Sequence, residues 1–129
     1  MMKPDSKFHL AFNIGYPNAY DRLQKRTGSF IMVHGSDVSI GCLAMTDPAI
    51  EEIFTLCQAA HLNGQKFFRI HIFPFHMTNE RLARENDNKW ASFWKNLQIG
   101  YHWFEKNHQP PNVISSPQGY LFSNENEKK

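Results

Sequence analysis

What this chain lacks narrows its chemistry first. Its 129 residues hold only two cysteines, Cys42 and Cys57, so one disulfide at most can form and a disulfide-stapled scaffold is excluded. No apolar run reaches the roughly 18 residues that a membrane helix needs, and no basic segment followed by an apolar core opens the chain, so neither a transmembrane segment nor a secretory signal is read. Lys and Arg are not gathered into a stripe and the net charge is only +2, which gives no electrostatic reason to expect a nucleic-acid partner. His34, His71 and His76 match no zinc-ligand spacing and have no Cys or Asp clustered about them, so no metal and no cofactor are expected. Internal repeats are absent.

What is present suits one globular core: 41% of the residues are apolar and 20% charged. Phe8, Leu10, Phe12 and Ile14 alternate, the period of a strand with one buried face, and Gly15-Tyr16-Pro17-Asn18 ends it. Ser29 to Val33 is a near-continuous apolar run, read as an interior strand that delivers His34 at its end. Thr46-Asp47-Pro48 signals a helix start, with a side chain able to cap and a proline where a missing N–H costs nothing. Ile50, Ile53, Phe54, Cys57 and Ala60 then recur at helical spacing and Asn63-Gly64 stops them, which predicts a helix over Asp47 to Leu62. Cys57 falls on that stripe and is expected to pack as a small apolar residue. Lys66 to Phe73 is read as a strand closed by Pro74. Beyond Thr78 a charged helical stretch precedes Trp90, Phe93, Trp94, Leu97, Tyr101 and Phe104, an aromatic stripe read as a packing face. Pro110-Pro111 ends that helix, Val113 to Phe122 forms a late strand or a covering loop, and residues 123–129 are a polar tail expected to be disordered.

The segment that carries chemistry is His34-Gly35-Ser36-Asp37-Val38-Ser39-Ile40-Gly41-Cys42. A histidine eight residues before a cysteine, across a small polar turn, places a base near a candidate nucleophile, since only the thiolate of cysteine is strongly nucleophilic and an imidazole can generate it. Gly41 permits a tight turn in which the N–H groups of Ile40, Gly41 and Cys42 would converge on an oxyanion. Gly35 offers no side chain to orient the imidazole, so a backbone carbonyl has to do so. Ser39 is a poor nucleophile beside a cysteine and is read as shaping the turn. Arg22 and Arg26 are weaker candidates, able to meet a substrate carboxylate through their guanidinium forks.

His34-Gly35, a spacer, and Ser39-Ile40-Gly41-Cys42 resemble the active-site signature of the L,D-transpeptidase (YkuD domain) family. The flanking Phe12-Asn13-Ile14-Gly15-Tyr16-Pro17-Asn18-Ala19-Tyr20-Asp21, Arg26-Thr27-Gly28, Cys42-Leu43-Ala44-Met45-Thr46-Asp47 and Ile72-Phe73-Pro74-Phe75 are similar to its YafK-like branch. The resemblance runs from about Phe8 to Met77 and implies a mainly β fold with packed helices (α+β). It implies a cell-envelope transferase in which Cys42 attacks and His34 moves the proton. Peptidoglycan stem peptides are the implied partners, with an envelope lipoprotein as a further one, in cell-wall organisation and cell shape. Family members usually carry an export signal and further N-terminal strands. This chain is therefore expected to hold the C-terminal part of the domain in residues 1–77, with a helical extension over 78–122. Its location would be the periplasm by family, or the cytoplasm if the start is genuine. Two alternatives stay open: an amide hydrolase that releases a protein or peptide from diaminopimelate, and a shortened, inactive fragment. A papain-like or NlpC-type peptidase fits less well, because there the cysteine precedes its histidine.

Overall fold

A computed structural model describes residues 2–123; the tail expected over 123–129 lies outside the described residues except for Ser123. The architecture is α+β, as expected, and its described residues fall into two compact units, one within Met1–Asp21 and Arg26–Ile70, the other within Arg22–Lys25 and His71–Lys129.

The first unit is a four-stranded mixed sheet with a helix packed on it. Strands β1 (Met2–Ser6), β2 (His9–Asn13), β3 (Met32–His34) and β4 (Leu43–Ala44) are neighbours in that order. The pairs β1/β2 and β2/β3 are antiparallel, with Ala11 opposite His34, whereas β3/β4 is parallel, with Val33 opposite Leu43 and His34 opposite Ala44. The alternation holds from Leu10 onward, where Phe12 enters the core with Leu10 and Ile14 packed beside it; Phe8, expected on the same face, precedes the strand and is half-exposed, since His9 at φ 68° turns the chain there. Between β2 and β3 lies a short helix α1 (Ala19–Leu23), opened by a reciprocal cap in which Asp21 N–H donates to Asn18 Oδ1 at 2.9 Å and Asn18 N–H to Asp21 Oδ2 at 3.1 Å.

Helix α2 occupies Asp47–Leu62 as the periodicity predicts. Ile50 and Phe54 bury against Phe12 and Val33, each such side chain contributing about 1.5–3 kcal/mol. Pro48 sits in the first turn and Gly64 takes φ +88° just past the end. The expected threonine cap does not form: Thr46 has φ 67° and its side chain makes no capping bond. The strand expected over Ser29 to Val33 is shorter, because Phe30 adopts φ 58° and is exposed, so only Met32–His34 joins the sheet. The strand expected over Lys66 to Phe73 does not form either, as among the described residues no neighbour pairs with that backbone.

In the second unit, α3 (Asn79–Ala83) is capped by Thr78 Oγ1, which accepts from Arg81 N–H. Helix α4 (Ala91–Asn107) carries most of the aromatic stripe, and the middle of the stripe is a packing face, where Trp94 meets Phe75 and Tyr101 meets Phe73 edge-on, at 5.2 and 5.3 Å between centroids, whereas Trp90, just before the helix, and Phe104 are exposed. The late segment is an antiparallel hairpin, β5 (Asn112–Ser116) with β6 (Gly119–Ser123), so of the two expected forms the strand is present and is doubled. Asn96 of α4 fastens β6 by both ends of its amide, since its Nδ2 donates to Tyr120 O and its Oδ1 accepts from Tyr120 N–H, each at 2.7 Å. No described helix is long and apolar enough to cross a membrane.

Candidate active site

The candidate site is built around the connection from β3 to β4, which leaves the sheet at His34 and returns at Leu43. His34 ends β3 and is almost wholly buried, at 3% exposure, with the Phe8 ring 4.8 Å away. A buried imidazole needs its ring nitrogens satisfied, and Nδ1 lies against the carbonyl oxygen of Gly35. A carbonyl can only accept, so Nδ1 carries the hydrogen, which in the neutral ring leaves Nε2 as the basic nitrogen.

Gly35 sits where no side chain fits. A Cβ there would lie 2.5 Å from Asp47 Oδ1 and 2.7 Å from the Phe8 carbonyl oxygen. Its N–H donates to Leu10 O at 3.1 Å, and the following Ser36, at φ 63°, turns the chain out of the sheet. Asp47 Oδ1 accepts from Ser36 N–H at 2.7 Å, and Ser36 O accepts from Thr46 N–H at 2.8 Å. The start of α2 thus clasps the turn that follows His34.

Cys42 stands immediately before β4. Its Sγ accepts from Met32 N–H at 3.4 Å and faces Phe30 O at 3.7 Å, so the thiol lies beside β3 just ahead of the histidine. Parallel register sets the offset: His34 is opposite Ala44, two residues beyond Cys42, a displacement of about 6–7 Å along the strand. No hydrogen bond joins His34 to Cys42 among the described residues. Ser39 organises the turn before the cysteine, its Oγ accepting from Gly41 N–H at 3.1 Å and Cys42 N–H at 2.7 Å and donating to Cys42 O at 2.9 Å. Two backbone N–H groups therefore converge on one oxygen; the Ile40 N–H is not one of them, and the Ile40 side chain is fully exposed. Gly41 has φ 139°, which a side chain would strain.

Arg26 is engaged with its own unit. Its Nη1 donates to the buried Asp21 carboxylate at 2.7 Å, and the guanidinium lies 5.3 Å from the centre of the Tyr20 ring. Arg22 lies exposed on α1. Cys57 lies on α2 against the core, where burial pushes its thiol above the ordinary 9.0. His71 and His76 belong to the second unit, and among the described residues no three His, Cys, Asp or Glu side chains are grouped to hold a metal.

Sequence reasoning missed two features of this site. In the sequence Asp47 belongs to a helix-start signal and to a flanking motif, and neither points to its contact with Ser36, which spans 11 residues, beyond the reach of local pattern. The Met32 N–H aimed at Cys42 is a backbone group, set by strand pairing and carried by no side-chain identity.

No family model matches this sequence. The chain is 44% identical, over 122 residues and 95% of its length, to a protein of Escherichia coli strain K12 named "Putative L,D-transpeptidase YafK", and the same figures hold for the protein of that name in Escherichia coli O157:H7. The aligned region makes up 50% of each relative, so the chain spans about half the length of the curated relatives it matches. This similarity supports the L,D-transpeptidase family for the matched region.

Proposed function

We propose that this chain carries the histidine–cysteine centre of an L,D-transpeptidase-type enzyme, transferring acyl groups from peptidoglycan stem peptides through a thioester on Cys42. The observation that bears most on this reading is the parallel pairing of β3 with β4, which sets the thiol at one strand's start and the histidine at its neighbour's end. The similarity over 95% of the chain supports the substrate class.

In this reading a side-chain rotation brings Cys42 Sγ to His34 Nε2, which takes the thiol proton, and the sulfur attacks the carbonyl carbon of a stem-peptide amide. The carbonyl oxygen replaces Ser39 Oγ between the Gly41 and Cys42 N–H groups, each such donor being worth about 2.7–4 kcal/mol in the transition state. The C–N bond breaks as the imidazolium returns its proton to the leaving amine. An acceptor amine then attacks the thioester, losing its proton through His34, and frees the thiol; water in its place gives hydrolysis. The proposed setting is the cell envelope, with an envelope lipoprotein as a further candidate partner.

The test is incubation of the chain with purified murein fragments and an amine acceptor. We expect a thioester adduct on Cys42 and a product lengthened by the acceptor. Both should fall by at least about 100-fold in Cys42→Ala and His34→Ala, within the range seen when a member of such a catalytic unit is removed. Full turnover by Cys42→Ala overturns the reading, and a product that gains only water selects the hydrolase.

A further inference from the structure

The geometry points to Asp47 as a positioning residue for His34, acting through the Gly35–Ser36 peptide bond; this rests on the reading of His34 and Cys42 given above. The carbonyl that receives His34 Nδ1–H and the N–H that donates to Asp47 Oδ1 belong to one peptide group. A trans peptide directs its C=O and N–H in opposite senses, so imidazole, peptide and carboxylate form one hydrogen-bonded chain. Negative charge at the N–H end polarises the amide, makes the Gly35 oxygen a stronger acceptor and holds the proton on Nδ1. The ring nitrogen facing away, Nε2, is thereby kept free to accept.

Three further observations fix the carboxylate in this place. Asp47 is the first residue of α2, where the positive end of the helix favours a negative charge. The helix is anchored by Ile50, which is fully buried in the core shared with Val33 of β3. Gly35 leaves a space that Asp47 Oδ1 enters, to 2.5 Å from where a Cβ would stand, so the absence of a side chain after the histidine admits the carboxylate. Solvent exposure of Asp47 limits the size of the effect.

The experiment is ¹⁵N NMR of the histidine rings in the full chain, with His34 assigned by its loss in His34→Ala, alongside alkylation of Cys42 at pH 7 with Cys57 as internal reference. We expect the Nδ1–H tautomer to dominate in the unaltered chain. In Asp47→Ala the tautomer ratio should shift toward Nε2–H, and Cys42 alkylation should slow relative to Cys57, both by about two- to five-fold, the size of a charge–dipole contact at partial exposure. Asp47→Asn, which keeps an acceptor for Ser36 N–H but no charge, should fall between the two; it decides the matter if Asp47→Ala loses its native circular dichroism. An unchanged tautomer ratio in a folded Asp47 variant overturns the role of Asp47. Unchanged Cys42 alkylation in His34→Ala instead overturns the pairing of His34 with Cys42, and the tautomer ratio still decides the link from Asp47 to His34.

Discussion

At Gly35 the backbone passes so near Asp47 and the Phe8 carbonyl that one methyl group has nowhere to go. The Phe8 oxygen belongs to the chain entering β2 and cannot swing aside, so Gly35→Ala must displace either the strand or the start of α2. We expect a loss of about 1–3 kcal/mol in urea denaturation, the usual cost of overpacking, together with slower alkylation of Cys42 as the turn after His34 shifts. A variant with unaltered stability would show that this turn adjusts freely. How much of the site is legible in the sequence follows from the same residues. His34, Gly35, Ser39, Gly41 and Cys42 stand out because their chemistry or their lack of a side chain is written in their identity. That a backbone carbonyl orients the imidazole is legible too, but that it is the one of Gly35, and that Met32 N–H points at the thiol, is not, because every residue owns those groups and only the folded backbone decides where they point.

Elements were legible in proportion to how local their causes are. Helix α2 carries its own start, stripe and stop, and the structure places it over the expected residues. The segment over Lys66 to Phe73 has strand-like composition, but a strand exists only where a second backbone meets it, and none does. Strand β1 is not legible for the converse reason: apart from Met2, which packs against the core, Met2–Ser6 is polar and carries no alternating pattern, so its pairing rests on the backbone. Helix α2 also supplies a dependence on pH. Cys57 has its thiol raised above 9.0 by burial, so above that value the unfolded chain releases a proton that the folded chain retains. Stability from this group is complete below about pH 9 and declines as pH rises through the folded value. Urea denaturation between pH 8 and 10 should show a loss that is smaller in Cys57→Ala; equal slopes in the two proteins would assign the loss elsewhere.

For the molecule as a whole, a sheet with two outer strands presents two edges on which another backbone can pair. In the first unit both outer strands are blunted. Strand β1 contains Lys3, Pro4 and Asp5, and its register with β2 is broken between Lys3 and Ser6; β4 has only two residues. Proline supplies no N–H to an incoming strand, and the irregular register bends the edge away. Pro4→Thr adds an N–H to that strand, and we expect sedimentation velocity over a concentration series to show more association than in the unaltered chain. Identical sedimentation of both proteins would mean that charge and the irregular register suffice without the proline.

The parallel pairing of β3 with β4 has a metric consequence. Neighbouring parallel strands are ordinarily joined by a dozen or more residues, commonly through a helix, yet here the chain leaves after His34 and re-enters at Leu43, so the eight residues from Gly35 to Cys42 close nearly a full ring. Such a ring acts as a ruler. Its circumference, more than the identity of Asp37, Val38 or Ile40 along the rim, has to match the spacing of sulfur and imidazole that the strand register sets.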